Sequence, residues 1–285
     1  MAFLKIREIL SRDDASKGVL LIPQVILSTL IEESDKYLLD RSLAKFVLSP
    51  NQIPGSTISV NLQVQSTGKV RQVGEGAEVP MDAGDYASVT FTPVKYGVAV
   101  RITREMMEDS QFPLLQDQIR TFGRRFAENE NKLILLALDG ANTTVTGGAS
   151  ITVANITTAM QNLWAQDFEA TDMIVGDEVL MDLMNIDTFA EANKWGGVTA
   201  NQTGDLGRVY GMTLHKFSRN AAPDTTYRLN AYVLDRRECY GIGIKRDVTV
   251  ENVTLPTFDM EGAVITQRLD VQLLKNKAVS KITTT

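Results

Sequence analysis

His215 is the only histidine and Cys239 the only cysteine in the 285-residue chain, and these two side chains bound the chemistry available to it. A single histidine excludes zinc sites built on two imidazoles and leaves little room for a Ser/His/Asp triad. His215 sits in the strand-like TLHKF beside Lys216, where a packed or surface role is the expectation. Cys239 lies in RRECYG, after two arginines. Nearby cations lower a thiol's pKa and make it reactive, but with no second cysteine or histidine to assist, a buried structural thiol is the better reading. One cysteine forms neither an intramolecular disulfide nor a multi-cysteine zinc site.

Phosphate-binding motifs are all incomplete. Gly68-Lys69 would need a glycine five positions before Gly68, where Gln63 stands, so no phosphate-cradling loop is present. Gly74-Glu75-Gly76 and Gly241-Ile242-Gly243 meet Val79 and Arg246 where a dinucleotide fingerprint requires a third glycine. No cofactor is expected. The paired acids Glu128 with Glu130 and Asp177 with Glu178 have the residue types for hydrolysis, yet helix neighbours at such spacings do not face each other. They read as solvated helix faces, and the chain is not expected to be an enzyme.

Composition narrows the class further. Lys and Arg number 29 against 35 Asp and Glu, a formal charge of −6, the wrong sign for a tight nucleic-acid reader but permissible for a wall that encloses DNA without sequence-specific binding. Apolar residues make up 44% of the chain, with 20 glycines and 8 prolines, as in a globular protein with a substantial core. The opening MAFLKIREILSRDD lacks the apolar core of a secretory signal. No run approaches the ~20 apolar residues of a membrane span, so a cytoplasmic origin without membrane partners is expected. The sequons at Asn142, Asn155, Asn201 and Asn252 then read as chance matches.

The elements that would position these residues follow from periodicity. Residues 1 to about 20 fit a short amphipathic helix or a frayed terminus. A helix is expected over 24–34 after Pro23. Ser56 to Gln65 alternates, with Ile58, Val60, Leu62 and Val64 on one face, which predicts a strand with one buried side. Further strands are predicted over Tyr86 to Thr92 and Tyr96 to Thr103. The polar, Gly-rich STGKVRQVGEGAEVPMDAGD between the first two suggests a projecting hairpin. An isolated ribbon is marginal in water, so the pair either finds a partner surface or folds back as an ordinary meander.

The longest helix runs from Pro113 to a cap at Gly140, with Leu115, Ile119, Phe122, Phe126, Leu133 and Ala137 on one stripe. About 25 residues give a rod on the order of 37 Å. Gly123 within it marks either close packing or a tolerated weakness worth up to ~1 kcal/mol. A helix near 156–166, a strand at Asp172 to Val175, a helix at Glu178 to Asn185 and a loop-rich 190–206 predict a compact α/β region. GMTLHKF, AYVLD, CYGIGIK, DVTVENVTL and the segment from Ala263 read as strands, and the last stretches are expected to return to the sheet of the first half.

In order, the polar hairpin with VGEGAEVP, a strand entering Thr103-Arg104-Glu105-Met106-Met107-Glu108-Asp109-Ser110, a long helix ending ENENKLILLALDG, the strand GRVYGMTLHKF, and a closing strand carrying Arg268-x-Asp270 resemble the major capsid proteins of tailed phages with the Hong Kong 97-type fold. Each motif is weak alone; their order over about 200 residues carries the resemblance. It implies an α+β fold divided into an N-terminal arm (1–54), an extended loop (55–93), a peripheral domain on a spine helix (94–149), an α/β axial domain (150–240) and return strands (241–285). It implies a homo-oligomer of pentamers and hexamers in a closed virion shell, assembled in the host cytoplasm with possible scaffold and portal partners. The loop would lie on a neighbouring subunit, so Lys69, Arg71, Glu75 and Glu78 become candidate intersubunit contacts. Some family members join a loop lysine to a neighbour's asparagine; Lys69 is the only lysine near the loop tip here. Others begin with a long scaffolding segment, whereas this chain has at most about 50 residues before the loop, and is expected to be mature or helped by a separate scaffold. Encapsulins share the fold, and an enzyme-loaded compartment is the alternative reading.

Overall fold

The computed structural model describes residues 27–39, 41–63, 72–76, 78–79, 86–103, 105, 114–186, 207–217 and 219–284. The expectations for residues 1–20, for Lys69 and Arg71, for the loop 190–206 and for most of the 103–110 motif therefore lie outside the described residues.

The first helix, α1, covers 27–35, within a residue of the expected end. The hairpin strands are β2 (Ile58–Gln63) and β3 (Tyr86–Phe91), preceded by a short β1 (Phe46–Leu48) and followed by β4 (Val94–Thr103). The long helix α2 runs from Leu114 to Leu138. Then come β5 (Thr143–Thr146), α3 (Val153–Trp164), β6 (Asp172–Val175) and α4 (Asp177–Asn185). Further along the chain, β7 (Arg208–Val209), β8 (Met212–Lys216) and β9 (Asn230–Leu234) lead to a long hairpin, β10 (Tyr240–Leu255) with β11 (Met260–Leu273), and to β12 (Val279–Thr283).

These strands form three sheets: β1-β10-β11-β4, β5-β12-β9-β6-β8-β7, and the isolated pair β2-β3. CYGIGIK and DVTVENVTL, expected as two strands, are one strand interrupted by register shifts between Ile244 and Thr249. Bulges of this kind bend a strand without ending it. The return is split as well. β10 and β11 rejoin β4 and β1, whereas β12 crosses to the second sheet and lies between β5 and β9.

Alternation within the six-stranded sheet explains why one chain needs two cores. Met173, Val175, Ala231, Val233 and Ile282 face α3 and α4 on one side. Ile174, Tyr232, Leu234 and Val279 face the other way and meet Ile134, Leu135 and Leu138 of α2 together with Tyr240, Ile242 and Leu269 of the first sheet. The C-terminal half of α2 is thus wedged between two sheets. Its last turns bury Ile134, Leu135 and Leu138, and the predicted Leu133 and Ala137 are only partly covered, because a helix packed on two sides buries more than one stripe. The N-terminal half follows expectation: Ile119 and Phe126 pack with Leu30 of α1 and Ile265 of β11.

Gly123 marks close packing. A β-carbon there would stand 2.7 Å from the Leu30 carbonyl oxygen and 3.3 Å from Cβ of Glu33, so α1 and α2 approach at a distance only glycine permits. Among the described residues no helix is long and apolar enough to cross a membrane.

Candidate assembly interface

The sequence-predicted chemical residues resolve into structural roles. His215 on β8 places Nε2 3.0 Å from Oδ1 of buried Asp172 on the neighbouring parallel strand β6, a packed histidine as expected. Cys239 is wholly buried, and burial, with Asp235 adding to it, pushes its thiol well above the usual range. The two arginines act elsewhere: Arg236 donates to Ser42, and Arg237 to Glu169.

The solvated-face reading of Glu128 and Glu130 is overturned. Both are buried, and each charge is neutralised by a partner distant in sequence or one helical turn away. Glu130 accepts from Nε and Nη2 of Arg41, each at 2.8 Å. Glu128 accepts from Arg124 at 2.9 Å and from Asn220 at 3.2 Å. Next to Glu130, Asn131, also buried, imitates a peptide group: its Oδ1 accepts the Leu39 N–H at 2.9 Å and its Nδ2 donates to the Tyr37 carbonyl at 2.7 Å. The polar cassette of α2 thereby fastens Tyr37, Leu39, Arg41 and Asn220 to the helix. Asp177 and Glu178 both reach Arg228, at 2.9 and 2.6 Å, and stand in the first turn of α4, where carboxylates favour the positive end of the helix.

The hairpin β2–β3 is the feature that asks for a partner. Among the described residues its strands pair only with each other and join neither larger sheet, which is not the ladder of an ordinary meander. One face carries Ile58, Val60 and Leu62 opposite Phe91, Val89 and Ala87; the other carries Ser59, Asn61 and Gln63 opposite Thr90, Ser88 and Tyr86. Phe91 and Leu62 are buried, Ile58, Val60 and Val89 are half-buried, and Ala87 is exposed. Val73 and Val79 in the loop and Tyr86 at the start of β3 are exposed as well, the last by 71%. Glu75 and Glu78 are exposed on the same loop, around a turn at Gly76 with φ of 76°.

The base of the hairpin is held by contacts from β1, β10 and β11. Phe91 lies edge-to-face with Phe46, centroids 6.0 Å apart, in a slot made by Gly241 and Gly243. A β-carbon at Gly241 would stand 2.9 Å from the Phe46 ring, and one at Gly243 would stand 3.2 Å from the Phe91 ring. The Gly-Ile-Gly that failed as a nucleotide motif is a ring-binding groove. Beyond Phe91, the Thr92 N–H donates to Asp270 at 2.7 Å, Arg268 donates to the Pro93 carbonyl at 3.2 Å, and Gln272 donates to both Asp270 oxygens. On the other leg, Lys245 donates to the carbonyl of buried Ile53. The sequence signalled the hairpin by its alternation; nothing in it signalled Lys245, Gln272 or the ring groove.

A long helix wedged between a bent four-stranded sheet and a six-stranded α/β sheet, with a separate hairpin at the side, is the α+β architecture of a capsid shell subunit. Solved structures agree: a Microbacterium phage Oxtober96 chain matches with a TM-score of 0.66 at 17% identity, over 87% of this chain and 91% of that one. A chain of the mature capsid of bacteriophage PhiM1 matches with a TM-score of 0.66 at 10% identity, over 87% of each, and one from Mycobacterium phage Che8 with 0.65 at 15%, over 80% and 84%. The sequence profile of the phage capsid protein family matches residues 86–273, and the chain belongs to that family. No curated protein sequence matches it. It is a shell protein of a phage virion, and its family is structural rather than enzymatic.

Proposed function

We propose that this chain assembles by itself or with a scaffold into the pentamers and hexamers of an icosahedral shell around double-stranded DNA, each hairpin clasping the adjacent subunit. The observation that carries the clasp is the half-covered apolar face of β2–β3, which its own subunit leaves unfinished. Burying it on a neighbour supplies the partner surface that a two-stranded ribbon needs. Contacts that are weak singly hold a closed shell because each subunit makes several of them.

On this reading residues 1–54 serve as the arm, 55–93 as the clasp, 94–149 and 241–285 as the peripheral domain, and 150–240 as the axial domain, with β5 and β12 lending their strands to the axial sheet. Lys69, Arg71, Glu75 and Glu78 make the loop's contacts with the neighbour. Assembly takes place in the host cytoplasm, and a portal protein occupies one vertex. The net charge of −6 suits a wall to which DNA does not adhere. A DNA-filled shell is favoured over an encapsulin-like compartment because the matching family and the solved structures named above are those of phages.

Deleting residues 66–85 tests the clasp. The subunit is expected to fold with its melting temperature little changed and to form no closed particles by electron microscopy. Normal shells from the deletion variant would end the clasping role.

A further inference from the structure

The Arg268-x-Asp270 pair has a place in the structure that its sequence pattern does not reveal. Alternate residues of a strand share a face, so Arg268, Asp270 and Gln272 line up on one side of β11 while Leu269 and Val271 point into the core. The two-residue link Thr92-Pro93, which joins the hairpin to β4, runs across that row. Asp270 takes the Thr92 N–H, Arg268 holds the Pro93 carbonyl, and Gln272 fixes the Asp270 carboxylate through both oxygens. Hydrogen bonds to an ionised group are among the stronger ones, and proline already fixes one of the link's torsions. The second leg is held by Lys245 at the Ile53 carbonyl. The segments on both sides of the hairpin are thus tied to the β10–β11 hairpin by side chains, and β10 also supplies the Gly241–Gly243 slot that seats Phe91.

We propose that Asp270 and Arg268 are positioning residues: they fix the direction in which the β2–β3 hairpin leaves the subunit, and through it the angle between neighbouring subunits and the diameter of the shell. This rests on the clasp reading for its second half. A six-residue strand extends about 20 Å, so a tilt of about 10° at the base displaces its far end by about 3–4 Å. Repeated around a shell, an error of that size selects a different curvature.

The test pairs a measurement on the subunit with one on the particle. Spin labels at Asn61→Cys on the hairpin and Lys132→Cys on α2, both exposed positions, report the hairpin direction as a distance distribution by pulsed electron paramagnetic resonance. The unsubstituted clamp gives a narrow distribution; Asp270→Ala broadens it at least twofold; Asp270→Asn, which keeps an oxygen for the Thr92 N–H, restores the width. In assembly reactions without labels, D270A gives particles of mixed diameter or open sheets, and D270N gives the wild-type diameter. An unchanged distance distribution in D270A overturns the clamp. A broadened distribution with particles of one diameter overturns the link to shell size. If the wild-type chain builds no shells even with its partners, the clasp reading fails, while the distance measurement still decides the clamp. Arg268→Met, read at the same labels, carries the test if D270A does not fold.

Discussion

The carboxylate of Glu130, almost wholly enclosed within α2, holds Nε and Nη2 of Arg41, 89 residues earlier in the chain, at 2.8 Å each. Glu130 in turn holds the Arg41 guanidinium in its charged form, through that hydrogen bond first. Removing one partner leaves the other carrying an uncompensated charge. Arg41→Met is expected to cost about 3 kcal/mol, the low end of the range for buried pairs because Arg41 keeps some contact with water. Adding Glu130→Met should recover most of that loss. Chemical denaturation of the wild type and these two variants checks both statements; an Arg41→Met variant as stable as the wild type contradicts the pair's role.

The contact between Gly123 and Leu30 predicts a substitution whose sign opposes helix propensity. Alanine gains up to about 1 kcal/mol over glycine in a helix interior. Here its methyl group would stand 2.7 Å from a backbone carbonyl oxygen, which cannot swing aside as a side-chain tip can. Overpacking of this kind costs about 1–3 kcal/mol, so Gly123→Ala should lower the melting temperature. A higher one would mean that α1 yields freely and is not anchored on α2.

What the sequence revealed and what it hid divide along one line. β2, β3, β4, α2, α3 and α4 were legible because their own spacing of apolar residues encodes them. β6, buried on both faces, was legible as a short apolar run between turn signals. The polar interactions were not. Glu128, Glu130 and Asn131 look like a solvated face because their partners, Arg41, Asn220 and the backbone at 37–39, are remote in sequence, and a charge pattern says nothing of a partner 89 positions away. For the same reason Gly241 and Gly243 were read against a nucleotide motif, when the rings they accommodate belong to Phe46 and Phe91. The candidate loop contacts were placed by resemblance, and of the four only Glu75 and Glu78 fall within the described residues.

Acid should weaken the packing of α4 through the Asp177–Arg228 pair. The Arg228 guanidinium, by its hydrogen bond first, holds the Asp177 carboxyl below its ordinary value. A carboxylate with a depressed folded-state pKa contributes stability that is present above about pH 4, its unfolded value, and is lost as pH falls through the folded value. The wild type is therefore expected to melt at a higher temperature than Asp177→Asn at pH 6. That gap should close below about pH 4. A gap that stays constant from pH 6 to pH 2 contradicts the assignment.

The most direct test of the central claim is electron microscopy, with size-exclusion chromatography, of the full chain expressed alone and then together with the proteins encoded beside it. The account predicts closed icosahedral particles tens of nanometres across, formed by the chain alone or once a scaffold is supplied. Monomers or small rings under both conditions would contradict it.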